Sequence, residues 1–176
     1  CFASGFAEMG EEGRNQQQEI ASVARAGNLT LLGPNTVGYF NYVDAFYVMM
    51  VQLVLPPKLD PSQGPAIAVV AQSGGVGAHI AASLLARGVP LSYMMTTGNE
   101  AQTGLADLIR FFATDEHTGA VVVYAEQIKS APEFVAAVRI AREHGKAVVL
   151  LHPGRSELSQ EAAKSHTGAL AGNHAA

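Results

Sequence analysis

Short apolar runs alternate with amphipathic stretches along the chain from residue 66 onward. Runs such as Val121–Val123 and Val148–Leu150 are apolar throughout, as expected of strands that helices cover on both faces. This alternation predicts an α/β fold with a doubly wound parallel sheet, which binds ligands at the carboxyl ends of its strands. The expected strands are Ala66–Ala71, Leu91–Thr96, Ala120–Ala125 and Lys146–Leu151, and the expected helices are Gly75–Arg87, Thr103–Ala113 and Pro132–His144.

The first part of the chain has a less regular pattern. A helix is predicted over Asn15–Ala26, with Gly27 directly after it. Two strands are predicted next, at Leu29–Leu32 and at Val43–Leu55. Prolines and glycines then cluster over Pro56–Pro65, and we interpret this segment as a linker between two domains.

Composition and charge exclude several classes of function. The chain has 176 residues, of which 48% are hydrophobic and 15% charged, so it is expected to be globular. The net charge of −4 and the lack of a basic run argue against nucleic acid as a partner. The longest apolar stretch, Ala45–Leu55, is too short to cross a membrane. We therefore expect no membrane association.

The single cysteine and the first residue bear on compartment and context. Cys1 cannot form a disulfide within the chain, which fits a reducing compartment, and we expect a cytoplasmic protein. Because the chain starts with Cys1 and not with methionine, we expect it to begin inside a larger protein.

A glycine-rich turn after the strand Ala66–Ala71 is the first candidate site. The sequence from Gln72 to Gly77 contains Ser73, Gly74 and Gly75 where a helix is expected to begin. The free N–H groups and the dipole of a helix start suit an anion such as phosphate. The turn matches neither a P-loop nor a dinucleotide-binding motif. A plain tight turn capped by a serine explains the local pattern equally well.

A histidine and a glutamate are the other candidates. His166 stands among small residues, where a neutral imidazole could act as a nucleophile. On its own, an ordinary surface histidine is the simpler interpretation. Glu126 follows the strand Ala120–Ala125, and a carboxylate there could hold one nitrogen of a histidine, although a solvated loop glutamate is equally consistent. No pair of histidines has a metal-ligand spacing, so no metal site is predicted.

Taken together, several motifs resemble those of a known family. The chain is similar to succinyl-CoA synthetase α-subunits and to nucleoside-diphosphate-forming acyl-CoA synthetases, and the motifs occur in the family's order over nearly its whole length. They are Ser4-Gly5-Phe6-Ala7-Glu8, Gly10-Glu11-Glu12-Gly13, Leu32-Gly33-Pro34-Asn35 with Gly38, Gln72-Ser73-Gly74-Gly75, Gly98-Asn99-Glu100, Asp107-Leu108, Gly154-Arg155-Ser156 and Ser165-His166-Thr167-Gly168.

The resemblance implies a division into domains. Residues 1–58 look like the C-terminal part of a Rossmann-like CoA-binding domain, and 59–65 are the linker. Residues 66–176 look like a flavodoxin-like domain of the succinyl-CoA-ligase type, which we expect to be incomplete in this chain.

The resemblance also implies site residues. His166 matches the phosphohistidine, Glu126 matches the carboxylate that orients it, and Ser73, Gly74 and Gly75 match the helix start that stabilises the phosphoryl group. Matches to the CoA site are Ala3, Ser4, Asn35 and Thr36.

The implied reaction converts acyl-CoA, phosphate and ADP into free acid, CoA and ATP. It would use an acyl-CoA or a carboxylic acid as substrate and CoA as cofactor. ATP or ADP with Mg²⁺ would be bound mainly by an ATP-grasp domain or subunit outside this chain, and a homo- or hetero-oligomer is expected.

Two departures and two alternatives accompany the resemblance. His152 stands where many relatives have lysine, and Gln102 stands where relatives often have aspartate, which leaves the acyl substrate open. The chain could instead be the regulatory region of a protein lysine acetyltransferase. It could also be a CoA-binding module without catalysis. The presence of both His166 and Glu126 favours the ligase.

Overall fold

The structure is a computed structural model that describes residues 1–50 and 58–153. Within these ranges the chain forms four α-helices and six strands, and two short 3-10 turns at Ala7–Met9 and Pro61–Gln63. In chain order the elements are α1 (Glu11–Ala26), β1 (Gly38–Asn41), β2 (Phe46–Met49), β3 (Ala66–Ala71), α2 (Gly74–Leu85), β4 (Leu91–Thr96), α3 (Leu105–Thr114), β5 (Thr118–Tyr124), α4 (Ala131–Glu143) and β6 (Ala147–Leu151).

All six described strands belong to one sheet, in the order β2-β1-β4-β3-β5-β6. Strands β4, β3, β5 and β6 are parallel, which confirms the predicted α/β fold. Strands β1 and β2 form an antiparallel hairpin, and β1 also pairs antiparallel with β4, with Asn41 opposite Tyr93. The hairpin from the first part of the chain therefore extends the sheet of the second part, while the division into two domains stays a proposal.

Two apolar layers enclose the parallel strands. On one face, α3 and α4 bury Ile109, Phe112 and Ala137 against Val121 and Val123. On the other face, α2 and the hairpin cover a second set of buried side chains, which includes Phe40, Tyr42, Leu59, Val69, Ala81 and Met94. Helices on both faces of a parallel sheet leave the ends of the strands as the accessible rims.

Two expectations for the first part of the chain are wrong. Residues Leu29–Leu32 form no strand, because their backbone groups do not pair with a neighbouring strand. They bond instead to the side chain of Gln102, to the chain's first amine and to single backbone groups of Ala24 and Thr103. The long strand expected over Val43–Leu55 is shorter, since Asp44 and Ala45 turn the chain between β1 and β2. The left-handed Ala45 (φ 54°) marks that turn. The last part of the expected strand, 51–55, lies outside the described residues.

The outer parallel strand differs from the expected coverage on both faces. In β6, Val149, Leu150 and Leu151 are 51%, 42% and 43% exposed, whereas Val69 and Val70 in β3 are fully buried. The sequence pattern could not show this, because β6 pairs only with β5 among the described strands.

Candidate functional site

The start of α2 lies at the carboxyl end of β3, as the sequence predicts. Ser73 has extended backbone angles, and its Oγ accepts a hydrogen bond from the amide of Val76 at 3.4 Å. A side chain at Gly74 would overlap the side chain of Val37, so the glycine lets the loop before β1 pack against the helix. A Cβ at Gly75 would meet nothing within 4 Å, which leaves this side of the helix start open. The open helix start can accept an anion.

Glu126 lies at the carboxyl end of the neighbouring strand β5, two residues beyond its last residue Tyr124. It is half-buried. The amides of Glu126 and Gln127 both donate to Oε1 of Gln72, at 2.6 and 2.9 Å. Because Gln72 directly precedes Ser73, these contacts bring the glutamate loop beside the helix start. Two of the predicted site segments therefore lie together on one rim.

The loop after β4 packs on the loop that precedes β1. The amide of Asn99 donates to the carbonyl of Pro34 at 2.9 Å, and the amide of Ala101 donates to the carbonyl of Gly33, also at 2.9 Å. Gly98 has a left-handed φ of 55°, and a side chain there would overlap the backbone carbonyl of Pro34. Two motifs that are 64 residues apart, at Asn35 and Asn99, thus form one surface.

The side chain of Asn99 joins three segments of the chain. Its Nδ2 donates to Oε2 of Glu8 at 2.5 Å and to Oε1 of Gln17 at 3.1 Å, and its Oδ1 accepts from Nδ2 of Asn35 at 3.3 Å. Burial raises the pKa of the Glu8 carboxyl, but the hydrogen bond from Asn99 together with backbone hydrogen bonds at residues 5, 6 and 8 outweighs it, so the pKa is lowered. Asn99 therefore ties the N-terminal segment to the rim of the sheet.

Glu100 is a carboxylate inside this rim. Its Oε1 accepts hydrogen bonds from Oγ1 of Thr97 at 3.0 Å and from the amide of Leu105 at 3.1 Å. Burial raises its pKa, and hydrogen bonds from Gln72 and from the two donors above, with the charge of Lys129, only partly offset this effect. The residue is held in a left-handed conformation with φ 52°. Such fixed, desolvated carboxylates are typical of functional sites.

Lys129 closes a shallow cleft beside Glu100. Its Nζ donates to the carbonyls of Asn99 and Glu100, at 2.6 and 2.9 Å. The cleft has a volume of about 140 Å³ and lies between the first turns of α3 and α4, near Leu105 and Ser130. Its lining has three carboxylates, from Glu100, Asp107 and Glu133, and one ammonium group, from Lys129, so the cleft is acidic rather than suited to an anion.

The residues matched to a CoA site fall into two environments. The amide of Asn35 donates to the carbonyl of Ala3 at 2.9 Å, which brings these two segments together. The side chains of Ser4 and Asn35 are exposed, and that of Asn35 also donates to Asn99. Thr36 is buried, and its hydroxyl hydrogen-bonds to the backbone and hydroxyl of Thr96 at 2.5 and 2.6 Å. Contact between this threonine and CoA stays a prediction.

Gln102 has a contact that the sequence did not suggest. Its Oε1 accepts from the amide of Leu31 at 2.5 Å, and its Nε2 donates to the carbonyl of Leu29 at 3.2 Å. The carboxamide therefore pairs with an extended segment as a neighbouring strand would. Gln102 thus has a structural role, since it holds residues 29–31 against the loop after β4.

His166 lies outside the described residues, so its place beside Glu126 stays a prediction. In the part of the chain that the structure describes, no three acidic, histidine or cysteine residues are grouped so as to hold a metal ion. No helix in 1–50 or 58–153 combines the length and apolarity needed to cross a bilayer.

The sequence motifs include Gln72, Asn99 and Glu100, but the sequence alone predicts no individual role for these residues. Lys129 was missed altogether. The available signal was their placement, since Gln72 follows an apolar strand directly and Lys129 precedes a serine-capped helix. Which groups these side chains reach depends on non-local contacts.

Comparison with protein families gives a match over most of the chain. Residues 63–176 match the model described as "Succinyl-CoA ligase like flavodoxin domain". The matched region includes the α2 start and the loops that carry Glu100 and Glu126.

Relatives and solved structures point in the same direction. The chain is 37% identical to a trans-feruloyl-CoA synthase from an unknown prokaryotic organism, over 99% of this chain and 24% of that protein. It is 33% identical to the alpha subunit of an ADP-forming acetate–CoA ligase from Pyrococcus furiosus, over 98% of this chain and 36% of that protein.

A solved structure of a dinucleotide-forming acetyl-coenzyme A synthetase from Ca. Korarchaeum cryptofilum, in complex with phosphate and ADP, superposes with a TM-score of 0.81. It is 27% identical and covers 98% of this chain and 35% of that one. The chain thus spans 24% to 36% of the length of these relatives.

Proposed function

The chain belongs to the family defined by the succinyl-CoA ligase-like flavodoxin domain, and we propose that it is part of a nucleoside-diphosphate-forming acyl-CoA synthetase. The observation that supports this most directly is the position of the α2 start beside Glu126, where Gln72 holds both. A phosphoryl group needs little more than positioning and charge stabilisation to be transferred. The open start of α2 would stabilise the charge of the phosphoryl group, and the carboxylate of Glu126 would position the histidine that carries it.

The proposed reaction has three steps. Phosphate attacks the thioester of acyl-CoA, the C–S bond breaks, and the acyl phosphate and the CoA thiol form. A nitrogen of His166 then attacks phosphorus, which releases the carboxylic acid as its anion. Finally ADP takes the phosphoryl group from the histidine and becomes ATP, and the reverse sequence makes acyl-CoA from the free acid.

The candidate site residues have separate roles in this reaction. The amides at Ser73–Gly75 stabilise the phosphoryl oxygens, and Glu126 accepts a hydrogen bond from one ring nitrogen of His166 so that the other reacts. The exposed side chains of Ser4 and Asn35 contribute to the CoA site. Mg²⁺ and the nucleotide belong to an ATP-grasp domain or subunit, in a larger assembly of which this chain is one part.

The first prediction tests the carrier. In the full-length protein with its ATP-grasp part, His166→Ala is expected to abolish the acid-labile phosphoenzyme that forms on this chain from γ-labelled ATP, because the proposed carrier nitrogen is removed. His144→Ala is a matched control, since His144 is exposed at the end of α4. Label that persists on the His166 variant at the wild-type level would contradict the assignment.

A further inference from the structure

Gln72 contacts all three strand ends that form the rim, although the proposed reaction gives it no chemical step. Its amide donates to the carbonyl of Tyr124 at 3.1 Å, and its carbonyl accepts from the amide of Gly98 at 3.2 Å. The residue therefore joins β3 to β5 on one side and to the loop after β4 on the other. Ser73, the capping residue of α2, is its neighbour in sequence.

The side chain of Gln72 makes three hydrogen bonds to the loop that carries Glu126. Oε1 accepts from the amides of Glu126 and Gln127, at 2.6 and 2.9 Å, and Nε2 donates to the carbonyl of Gln127 at 2.7 Å. A carboxamide has two acceptor and two donor positions, so these bonds use three of the four. Burial raises the pKa of the neighbouring Glu100 carboxyl overall, and Gln72 partly offsets this by lowering it.

These contacts replace a missing sheet ladder. Beyond Tyr124 the strands separate, and buried backbone groups that lose their ladder partners must find others. The carboxamide of Gln72 provides one oxygen for two amides and one nitrogen for a carbonyl. The backbone of Glu126 is consequently fixed relative to the start of α2.

We propose that Gln72 is the positioning residue of the phosphoryl-transfer site, which holds Glu126 at a set distance from the Ser73–Gly75 helix start. The inference rests on the proposed function, because it gives Gln72 a role in the same site. A carboxylate that orients a histidine must be placed within a fraction of an ångström, and Gln72 supplies this through the backbone of Glu126.

Removing the carboxamide gives the first expectation. In the full-length protein, Gln72→Leu is expected to slow phosphoenzyme formation from γ-labelled ATP roughly 10- to 100-fold, with the KM for ATP unchanged. Hydrogen exchange at the amides of Glu126 and Gln127 is expected to become faster, because both amides lose their hydrogen bonds to Gln72. This measurement is independent of activity. Ile140→Ala, in α4 and away from this rim, controls for a general loss of stability.

Replacing the carboxamide by a carboxyl separates hydrogen bonding from shape. Gln72→Glu keeps the volume and the oxygen that accepts from the two amides. Its second oxygen would face the carbonyl of Gln127, where only a protonated carboxyl can donate. An acceptor at that position and the negative charge of the nearby Glu100 both favour the protonated form, so the proton is held to higher pH. The rate relative to wild type is therefore expected to rise several-fold between about pH 8 and about pH 5.5.

The outcomes distinguish the possible failures. A Gln72→Leu variant with the wild-type rate would overturn the positioning role, and so would a Gln72→Glu variant whose relative rate is as independent of pH as that of Gln72→Leu. Equal slowing by Ile140→Ala would reduce the effect to general stability and also overturn it. Unchanged amide exchange in Gln72→Leu would also overturn the positioning role, because it would mean that Gln72 does not hold the backbone of Glu126 and Gln127. Wild-type protein that forms no phosphohistidine would instead overturn the proposed function.

Discussion

Strands β3 and β6 have similar apolar sequences but lie in opposite environments. β3 (Ala66–Ala71) pairs with β4 and β5 and is covered by helices, so Val69 and Val70 are fully buried. β6 (Ala147–Leu151) has one strand neighbour, and Val149 is 51% exposed. Apolar side chains in β3 therefore contribute more to the free energy of unfolding than similar side chains in β6, because the hydrophobic contribution depends on the area that is buried.

The ends of these two strands differ in the same way. The rim at β3 is built from side chains that reach across to other strands, such as Gln72 and Glu100. The turn that leads into β6 contains Gly145, and a Cβ added to this glycine would have no neighbouring atom within 4 Å. We therefore expect a substitution in the inner rim to be more destabilising than one in the turn before β6.

The largest expected effect comes from comparing a glycine at each of these places. Gly98→Ala should destabilise the protein by about 3 kcal/mol, since a Cβ would overlap the carbonyl oxygens of Pro34 and Asn35. Gly145→Ala should cost only about 1 kcal/mol, because this glycine is also left-handed (φ 74°) but has open space around it. Urea unfolding of the two variants measures the difference, and equal losses would contradict it.

A valine in each strand gives the next comparison. Val69→Ala should lower the free energy of unfolding by roughly 2 kcal/mol, because the side chain is fully buried and its removal leaves a cavity. Val149→Ala should lower it by less than about 0.5 kcal/mol. A loss at Val149 as large as at Val69, in the same urea experiment, would mean that β6 is covered in solution.

The smallest effect concerns pH and the carboxyl of Glu100. Burial raises its pKa in the folded state, so the folded protein binds this proton more tightly than the unfolded chain. The folded state is therefore expected to gain stability from this group as pH falls from about 7 toward about 5.

Glu100→Gln removes this titration, which makes the variant the control. The variant changes the hydrogen bond with Gln72 at every pH, so only the pH dependence is diagnostic. Subtracting its free energy of unfolding from that of wild type should give a difference that shifts in favour of wild type on acidification. A constant difference over this range would contradict the raised pKa.

Local sequence was sufficient for the parallel part of the sheet. Ala66–Ala71 and Leu91–Thr96 are strands with the predicted bounds, and the predicted helices after them start and end within two residues of the prediction. These elements were predictable because an apolar run bounded by turn residues has one compatible structure when helices flank it. The serine cap at Ser73 follows from the same local chemistry.

The first part of the chain was less predictable for a physical reason. Leu29–Leu32 has the composition of a strand, but a strand needs a partner, and Gln102 takes that place for Leu31. The hairpin of β1 and β2 depends on a turn at Ala45 that contains no glycine. In both places non-local pairing outweighed local propensity.

The candidate site divides along the same line. The sequence alone determined its chemical groups: a glycine-rich helix start, a glutamate after a strand and, through the family motifs, a histidine at 166. Only the tertiary structure decided that Gln72 bonds to the amides of Glu126 and Gln127, which are 54 and 55 residues away. Such contacts arise where parallel strands end side by side, since loops there must satisfy their backbone groups with whatever side chain the fold brings within reach.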